Sequence, residues 1–192
     1  MRILIVYFTQ TKNTEKVAKG INEELLTQGH EVRIEKIEGI TPNILDDYNL
    51  VFIGSACHDA DLAQPVKQFL EEISHSPPYK MAGFVTHATY TDEGGNRERE
   101  LYDKWAGKCI KSFNQVSQEK NIDFLGYFHC QGAPTPEIAE FIHRVIVTDE
   151  EEWNKYEEEV NKHPTEEDIQ RVKGFANNVL LKFKQSADKH LA

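Results

Sequence analysis

Six consecutive residues near the start of the chain, Thr9-Gln10-Thr11-Lys12-Asn13-Thr14, set three hydroxyls and two amides between two apolar patterns. Before them, Arg2 to Phe8 is an apolar run rich in β-branched and aromatic residues, which predicts a buried parallel strand. After them, Val17, Ala18, Ile21 and Leu25 recur at helical spacing. A hydroxyl-rich turn between a strand and a helix N-terminus makes an anion cradle. The first backbone N–H groups of a helix have no internal partner, and the helix dipole favours negative charge there. Hydroxyls of Thr9, Thr11 and Thr14 add donors aimed at the same anion, and phosphate is the natural occupant. The plainer reading of the same residues is a turn that only caps its helix.

The elements that must position this loop alternate along the chain. Glu31 to Ile37 alternates polar and apolar residues as a more exposed second strand would. Asn49 to Ser55 is a central strand, followed by an amphipathic helix over Gln64 to Ile73 with Pro65 in its first turn. Met81 to Ala88 is a fourth strand and Ile122 to Cys130 a fifth. Between them, Arg97 to Lys120 reads as one long helix in which Gly107 either bends the axis or permits close packing. Thr165 to about Gln185 is the final helix, opened by a Thr165/Asp168 capping pair. Such alternation predicts an α/β fold: a doubly wound parallel sheet of five strands with helices on both faces, forming a single domain over residues 1–192. Residues 132–163 are a helical insertion after strand 5. Gly132 to Pro136 breaks the chain, Glu137 to Val147 is a short helix, and the acidic stretch Thr148 to Val160 docks through Trp153, Tyr156 and Val160. This insertion reads as a lid over a ligand, as a dimerisation element, or as a solvated acidic helix that only packs.

Thr-x-Thr-x-Asn-Thr after a first strand resembles the phosphate-binding loop of the flavodoxins, whose usual form is Thr/Ser-x-Thr/Ser-Gly-Asn-Thr. The resemblance implies a flavodoxin-like fold with strand order 2-1-3-4-5. It also implies FMN as cofactor, held by its phosphate on Thr9, Gln10, Thr11, Lys12, Asn13 and Thr14. Lys12 stands where glycine is usual. If that position needs a positive φ, lysine costs about 1–2 kcal/mol there; otherwise the loop takes another path. In this strand order ligands bind beyond the carboxyl ends of the strands, at the switch between strands 1 and 3. The loop after strand 3 keeps the Gly54-Ser55 start and the Pro65-Val66 helix entry usual in flavodoxin relatives. The resemblance therefore gives Ser55, Ala56, Cys57 and His58 to the cofactor. An aromatic at the loop tip is missing, so either His58 stacks on the ring or that face lies open to a substrate. The loop after strand 4 is longer than a minimal turn. Thr86 and Thr89 are assigned to the pyrimidine edge or ribityl chain, His87 and Ala88 between them to the cofactor site, and Tyr90 to stacking on the flavin. Gly94-Gly95 is assigned to close backbone approach. The plainer alternative is an ordinary Gly-Gly turn beside a surface tyrosine.

Composition narrows the classes. A net charge of −10, from 32 acidic and 22 basic residues, argues against binding nucleic acid or an anionic membrane. No apolar stretch reaches the roughly 20 residues that span a bilayer, and Met1-Arg2 runs straight into the first strand, so a cytoplasmic protein without a leader is expected. Cys57, Cys109 and Cys130 lack metal-site spacing and are expected as reduced thiols. There is no Gly-x-Gly-x-x-Gly, no Gly-Lys-Ser/Thr, no paired-histidine ligand motif and no acidic pair after strand 1. Those absences set aside an NAD site, a P-loop, a metal centre and a phospho-receiver. Two classes remain under the resemblance. One is an FMN electron carrier meeting redox partner proteins. The other is a small FMN-dependent quinone or NAD(P)H-linked reductase acting on a small quinone-type acceptor. A flavin-free interaction module is third. No residue is assigned catalysis, and homodimerisation is left open.

Overall fold

The computed structural model describes residues 1–188. Its centre is a parallel sheet of β1 (Arg2–Tyr7), β2 (Glu31–Lys36), β3 (Leu50–His58), β5 (Lys80–His87) and β6 (Phe124–Gln131), in the order β2-β1-β3-β5-β6. This is the expected order, with the numbering shifted by β4 (Asp61–Leu62), a two-residue strand pairing antiparallel with the end of β3. Ile3, Leu4, Ile5 and Val6 have no exposed surface, as a strand covered on both faces requires. On one face, α1 (Asn13–Thr27) and α7 (Glu166–Asp188) pack through Val17, Ile21, Leu25, Val172 and Ala176. On the other, α2 (Gln64–Glu71) and α4 (Lys108–Glu119) pack through Val66, Phe69, Leu70, Cys109 and Phe113. Burial of these apolar stripes is what holds the layers together.

The long helix expected over 97–120 is two helices, α3 (Asn96–Trp105) and α4. Ala106 turns out of the helix at φ −143°, and the N–H groups of Ala106 and Gly107 both donate to the Tyr102 carbonyl. A Cβ at Gly107 would lie 2.7 Å from the Asp103 carbonyl oxygen, so only glycine permits this tight break. The insertion forms α5 (Pro136–Val145) and α6 (Glu150–Val160). They build a third apolar cluster of their own from Ile142, Val147, Trp153, Tyr156 and Val160. Thr135 and Asp149 cap the two helices, each accepting from a backbone N–H three residues on. Among the described residues no helix is long and apolar enough to cross a membrane.

Candidate functional site

The expected turn between β1 and α1 is present. Lys12 adopts the left-handed conformation, φ 66° and ψ 4°, and swings the chain from β1 into α1. No side chain caps α1, so its leading N–H groups stay available. Thr9 Oγ1 is buried without a hydrogen-bond partner in the protein. A buried hydroxyl left in that state costs about 1–3 kcal/mol, which marks it as a group awaiting a partner. Asn13 Nδ2 donates to Thr11 Oγ1 and to the Ala133 carbonyl, each at 2.8 Å. That second bond ties the cradle to the start of the insertion. Thr14 points inward instead: its Oγ1 is fully buried, 2.9 Å from Thr86 Oγ1, and locks α1 to β5.

The stretch expected as a loop after β3 is an extended hairpin. β3 continues through Ala56 and Cys57 to His58, and Cys57 and His58 pair with Leu62 and Asp61 of β4. Its two-residue turn holds Asp59 at φ 49° and Ala60 at φ 66°, both left-handed, as a type I′ turn requires. Asp61 anchors the hairpin: Oδ1 accepts from Ser112 Oγ at 2.6 Å and from the Leu62 N–H at 2.7 Å, and Lys67 lies 3.1 Å from Oδ2. Those bonds hold its carboxyl below the usual aspartate range against the opposing effect of burial. Ser55 Oγ accepts from the Ala63 N–H and donates to the Ala56 carbonyl, so it is spent on the hairpin.

A cavity of 510 Å³ opens between these parts at the carboxyl edge of the sheet. Gln10, Thr11 and Asn13 line it from the cradle, Ala56, Cys57 and His58 from the hairpin, and Thr86, His87, Ala88 and Thr89 from the loop after β5. Ten of the expected site residues thus meet in one place. Thr9, Lys12, Thr14 and Ser55 do not line it, and Thr14 and Ser55 are spent on the bonds described above. Tyr90 does not line it. Its hydroxyl donates to Glu152 Oε1 at 2.8 Å, its ring lies 5.1 Å from that of Tyr156, and Arg97 pairs with the same carboxylate. Burial and the Glu152 carboxylate push its phenol up to about 12. Gly94 and Gly95 lie against Glu98 at the start of α3, away from the cavity.

The sequence reading missed the far wall. Trp105, at the last residue of α3, and Ile138, Phe141, Ile142 and Ile146 of the insertion close the cavity on its apolar side. The Trp105 and Phe141 rings meet edge-on, with centroids 5.5 Å apart and planes at 78°. A Cβ at Gly132 would lie 2.7 Å from Asn13 Nδ2, so the glycine lets the insertion approach the cradle. The apolar period of α5 is the available signal; it supports the lid, dimerisation and packing readings of the insertion alike and does not single out Ile138, Phe141, Ile142 and Ile146 as cavity wall.

Behind the β5 loop runs a chain of imidazoles. His87 Nδ1 lies 3.2 Å from the Thr89 carbonyl oxygen, His87 Nε2 lies 3.0 Å from His129 Nδ1, and His129 Nε2 lies 3.2 Å from Asp92 Oδ1. Burial, helped by His129, pushes His87 down to about 3. Burial also lowers His129 while Asp92 opposes it. Gln131 Nε2 donates to the same Thr89 carbonyl at 3.0 Å, so the loop is held from two sides.

A five-stranded parallel sheet in this order, with a hydroxyl-rich cradle at the end of its first strand, defines a flavodoxin-type fold. The chain belongs to the flavodoxin domain family, whose model matches residues 4–177. It is 30% identical over 181 residues to an uncharacterised protein of Methanocaldococcus jannaschii, covering 94% of this chain and 99% of that one. It is 26% identical over 189 residues to the flavodoxin-like domain-containing protein BilS of Clostridioides difficile, covering 95% and 98%. Among solved structures, oxidised flavodoxin 2 of Bacillus cereus superposes with a TM-score of 0.63 at 20% identity, covering 95% of this chain and 99% of that chain. The rubredoxin oxygen:oxidoreductase of Desulfovibrio gigas superposes with a TM-score of 0.64 at 15% identity, covering 96% of this chain but 36% of that one. The structural likenesses establish the fold.

Proposed function

We propose that the cavity binds FMN, phosphate first, and that the protein transfers electrons as a flavodoxin-type carrier. One observation carries this reading: Thr9 Oγ1 is buried and unpartnered beside an uncapped helix N-terminus entered through the left-handed Lys12. A phosphate supplies an acceptor for that hydroxyl and a negative charge for the helix end. The bound flavin would supply the electron chemistry. The protein's part is to fix its position and exclude water. Thr9, Thr11 and the first N–H groups of α1 would hold the phosphate. Thr86 and Thr89 offer polar atoms along the chain that leads to the ring, and the apolar wall of α5 keeps the ring end dry. A net charge of −10 suits encounter with a basic redox partner.

A second reading is an FMN-dependent reductase for a small quinone-type acceptor. The observation favouring it is the insertion itself, whose Ile138, Phe141, Ile142 and Ile146 give the cavity an apolar side suited to a flat organic molecule. Reductive titration of the FMN-loaded protein separates the two. Two resolved one-electron steps support the carrier. Direct reduction by NADPH with turnover of a quinone supports the reductase. Protein that retains no FMN after incubation and gel filtration removes both.

A further inference from the structure

Resting on the flavin reading, we propose that Trp105 is the ring-stacking residue of this site, taking the place left empty by the hairpin and by Tyr90. Each expected aromatic is otherwise engaged. Tyr90 is bound to Glu152 and packed on Tyr156. His58 packs on Phe8, with centroids 5.7 Å apart and planes at 84°. Phe141 lines the cavity but also packs against the apolar cluster of the insertion. Trp105 lines the cavity and belongs to none of the three clusters of the described residues. Its ring is only partly buried, and Lys104 Nζ lies 4.9 Å from its centroid.

Its placement follows from the sequence. Gly107 permits the break that ends α3 at Trp105 rather than a turn later. Tyr102, one turn earlier, is buried against His129 with ring centroids 4.5 Å apart, which seats α3 on the sheet edge. Cys57 Sγ donates to the Trp105 carbonyl at 3.3 Å and pins the helix end to the hairpin. The helix break and these two contacts, to β6 and to the hairpin, fix the end of α3 where Trp105 lines the cavity. An indole face is the strongest stacking surface a side chain offers to a flat, electron-poor ring.

The test titrates the purified protein with FMN and, separately, with riboflavin, which has the ring but no phosphate, following flavin emission. Stacked on indole, bound flavin is quenched in the wild type. Trp105→Leu weakens FMN and riboflavin alike, by about tenfold, and restores emission several-fold. Trp105→Phe keeps a ring of similar shape but a poor electron donor. It holds most of the affinity while emission rises, which a purely structural role would not produce. Trp153→Leu, within the insertion's own cluster, leaves emission quenched. Wild-type protein that binds FMN, with affinity and emission unchanged by both Trp105 variants, overturns the stacking assignment and leaves the flavin reading standing. Wild-type protein that binds neither flavin overturns both.

Discussion

His87 Nε2 and His129 Nδ1 face each other at 3.0 Å across β5 and β6, and their neighbours fix which of them donates. A carbonyl can only accept, so the 3.2 Å contact with Thr89 O places a proton on His87 Nδ1. Neutral His87 then offers a lone pair at Nε2 and accepts from His129 Nδ1–H. The Asp92 carboxylate, 3.2 Å from His129 Nε2, also only accepts, so His129 makes both bonds at once only when both of its ring nitrogens carry protons. The pair therefore works as a clasp that joins the cavity loop to β6, with its direction set by one backbone carbonyl.

Because burial holds His87 near 3, the folded protein keeps it neutral while the unfolded chain protonates it near 6.5. A depressed histidine pKa means the unfolded state binds more protons over this window, so stability falls as pH drops from about 6.5 towards 3. The groups around it are His129, Tyr102, His163, Asp168 and the Thr89 carbonyl, and the Thr89 bond and Asp168 oppose the shift. The full effect approaches about 1.4 kcal/mol per pH unit. Urea denaturation at pH 7, 6 and 5 would read it. His87→Gln should show a clearly shallower loss than wild type, and parallel slopes for the two proteins would refute the assignment.

Thr9 and Thr14 separate binding from folding. Thr9→Val removes a buried hydroxyl that nothing in the protein satisfies, so the flavin-free protein should gain about 1 kcal/mol. The same change should weaken FMN binding while leaving riboflavin binding near wild type. Thr14→Val instead breaks the 2.9 Å bond to Thr86 and should cost about 1 kcal/mol of stability. Denaturation midpoints alongside the two flavin affinities check the pair. If Thr9→Val lost stability and kept its FMN affinity, its hydroxyl would be structural.

How much was legible varied with the range of the interaction. The alternation of strands and helices and the apolar helix stripes followed from local periodicity, whereas the strand order came from the family resemblance carried by Thr9 to Thr14. The extended hairpin did not, because Asp59-Ala60 is not the Asn-Gly pair that signals a two-residue turn with positive φ. Its conformation is held from outside, by Ser112 and Lys67 on Asp61. The break at Ala106-Gly107 was visible as a glycine, but whether it bent or ended the helix depended on Tyr102 packing against His129 from a distant strand. A continuous helix over 97–120 would carry Trp105 within its interior, whereas the break leaves it at the end of α3. Tyr90 was drawn from the cavity by Glu152, 62 residues away, a pairing no local pattern announces.

The insertion is tied to the loop after β5 by Glu152, which accepts from Tyr90 and pairs with Arg97. Arg97 first, then Tyr90, lower the Glu152 carboxyl, and both contacts hold α6 beside the cavity. Glu152→Ala should leave the sheet's stability within about 1 kcal/mol, since the pairs are largely exposed. It should nevertheless speed FMN dissociation several-fold and raise protease sensitivity between residues 132 and 163. Limited proteolysis and stopped-flow exchange of bound flavin measure the two. Unchanged cleavage and release would mean that the third apolar cluster alone keeps the insertion in place.

Lys12 holds φ at 66° where a β-carbon is crowded against the backbone, at a cost of about 1–2 kcal/mol. Lys12→Gly removes the crowding but enlarges the freedom of the unfolded chain by about 0.5–1 kcal/mol. The net should be a gain of about 0.5–1 kcal/mol, which moves the melting midpoint by about 2 °C in a chain of this size. Lys12→Asn, which tolerates the left-handed region better than lysine, should fall between the two. FMN affinity gives the other half of the comparison. If the exposed ammonium attracts the phosphate through solvent, both variants weaken FMN to a similar degree, and the difference from wild type shrinks as salt rises. Lys12→Gly protein less stable than wild type would mean that the loop does not hold this turn in solution, and the cradle's geometry would have to be redrawn.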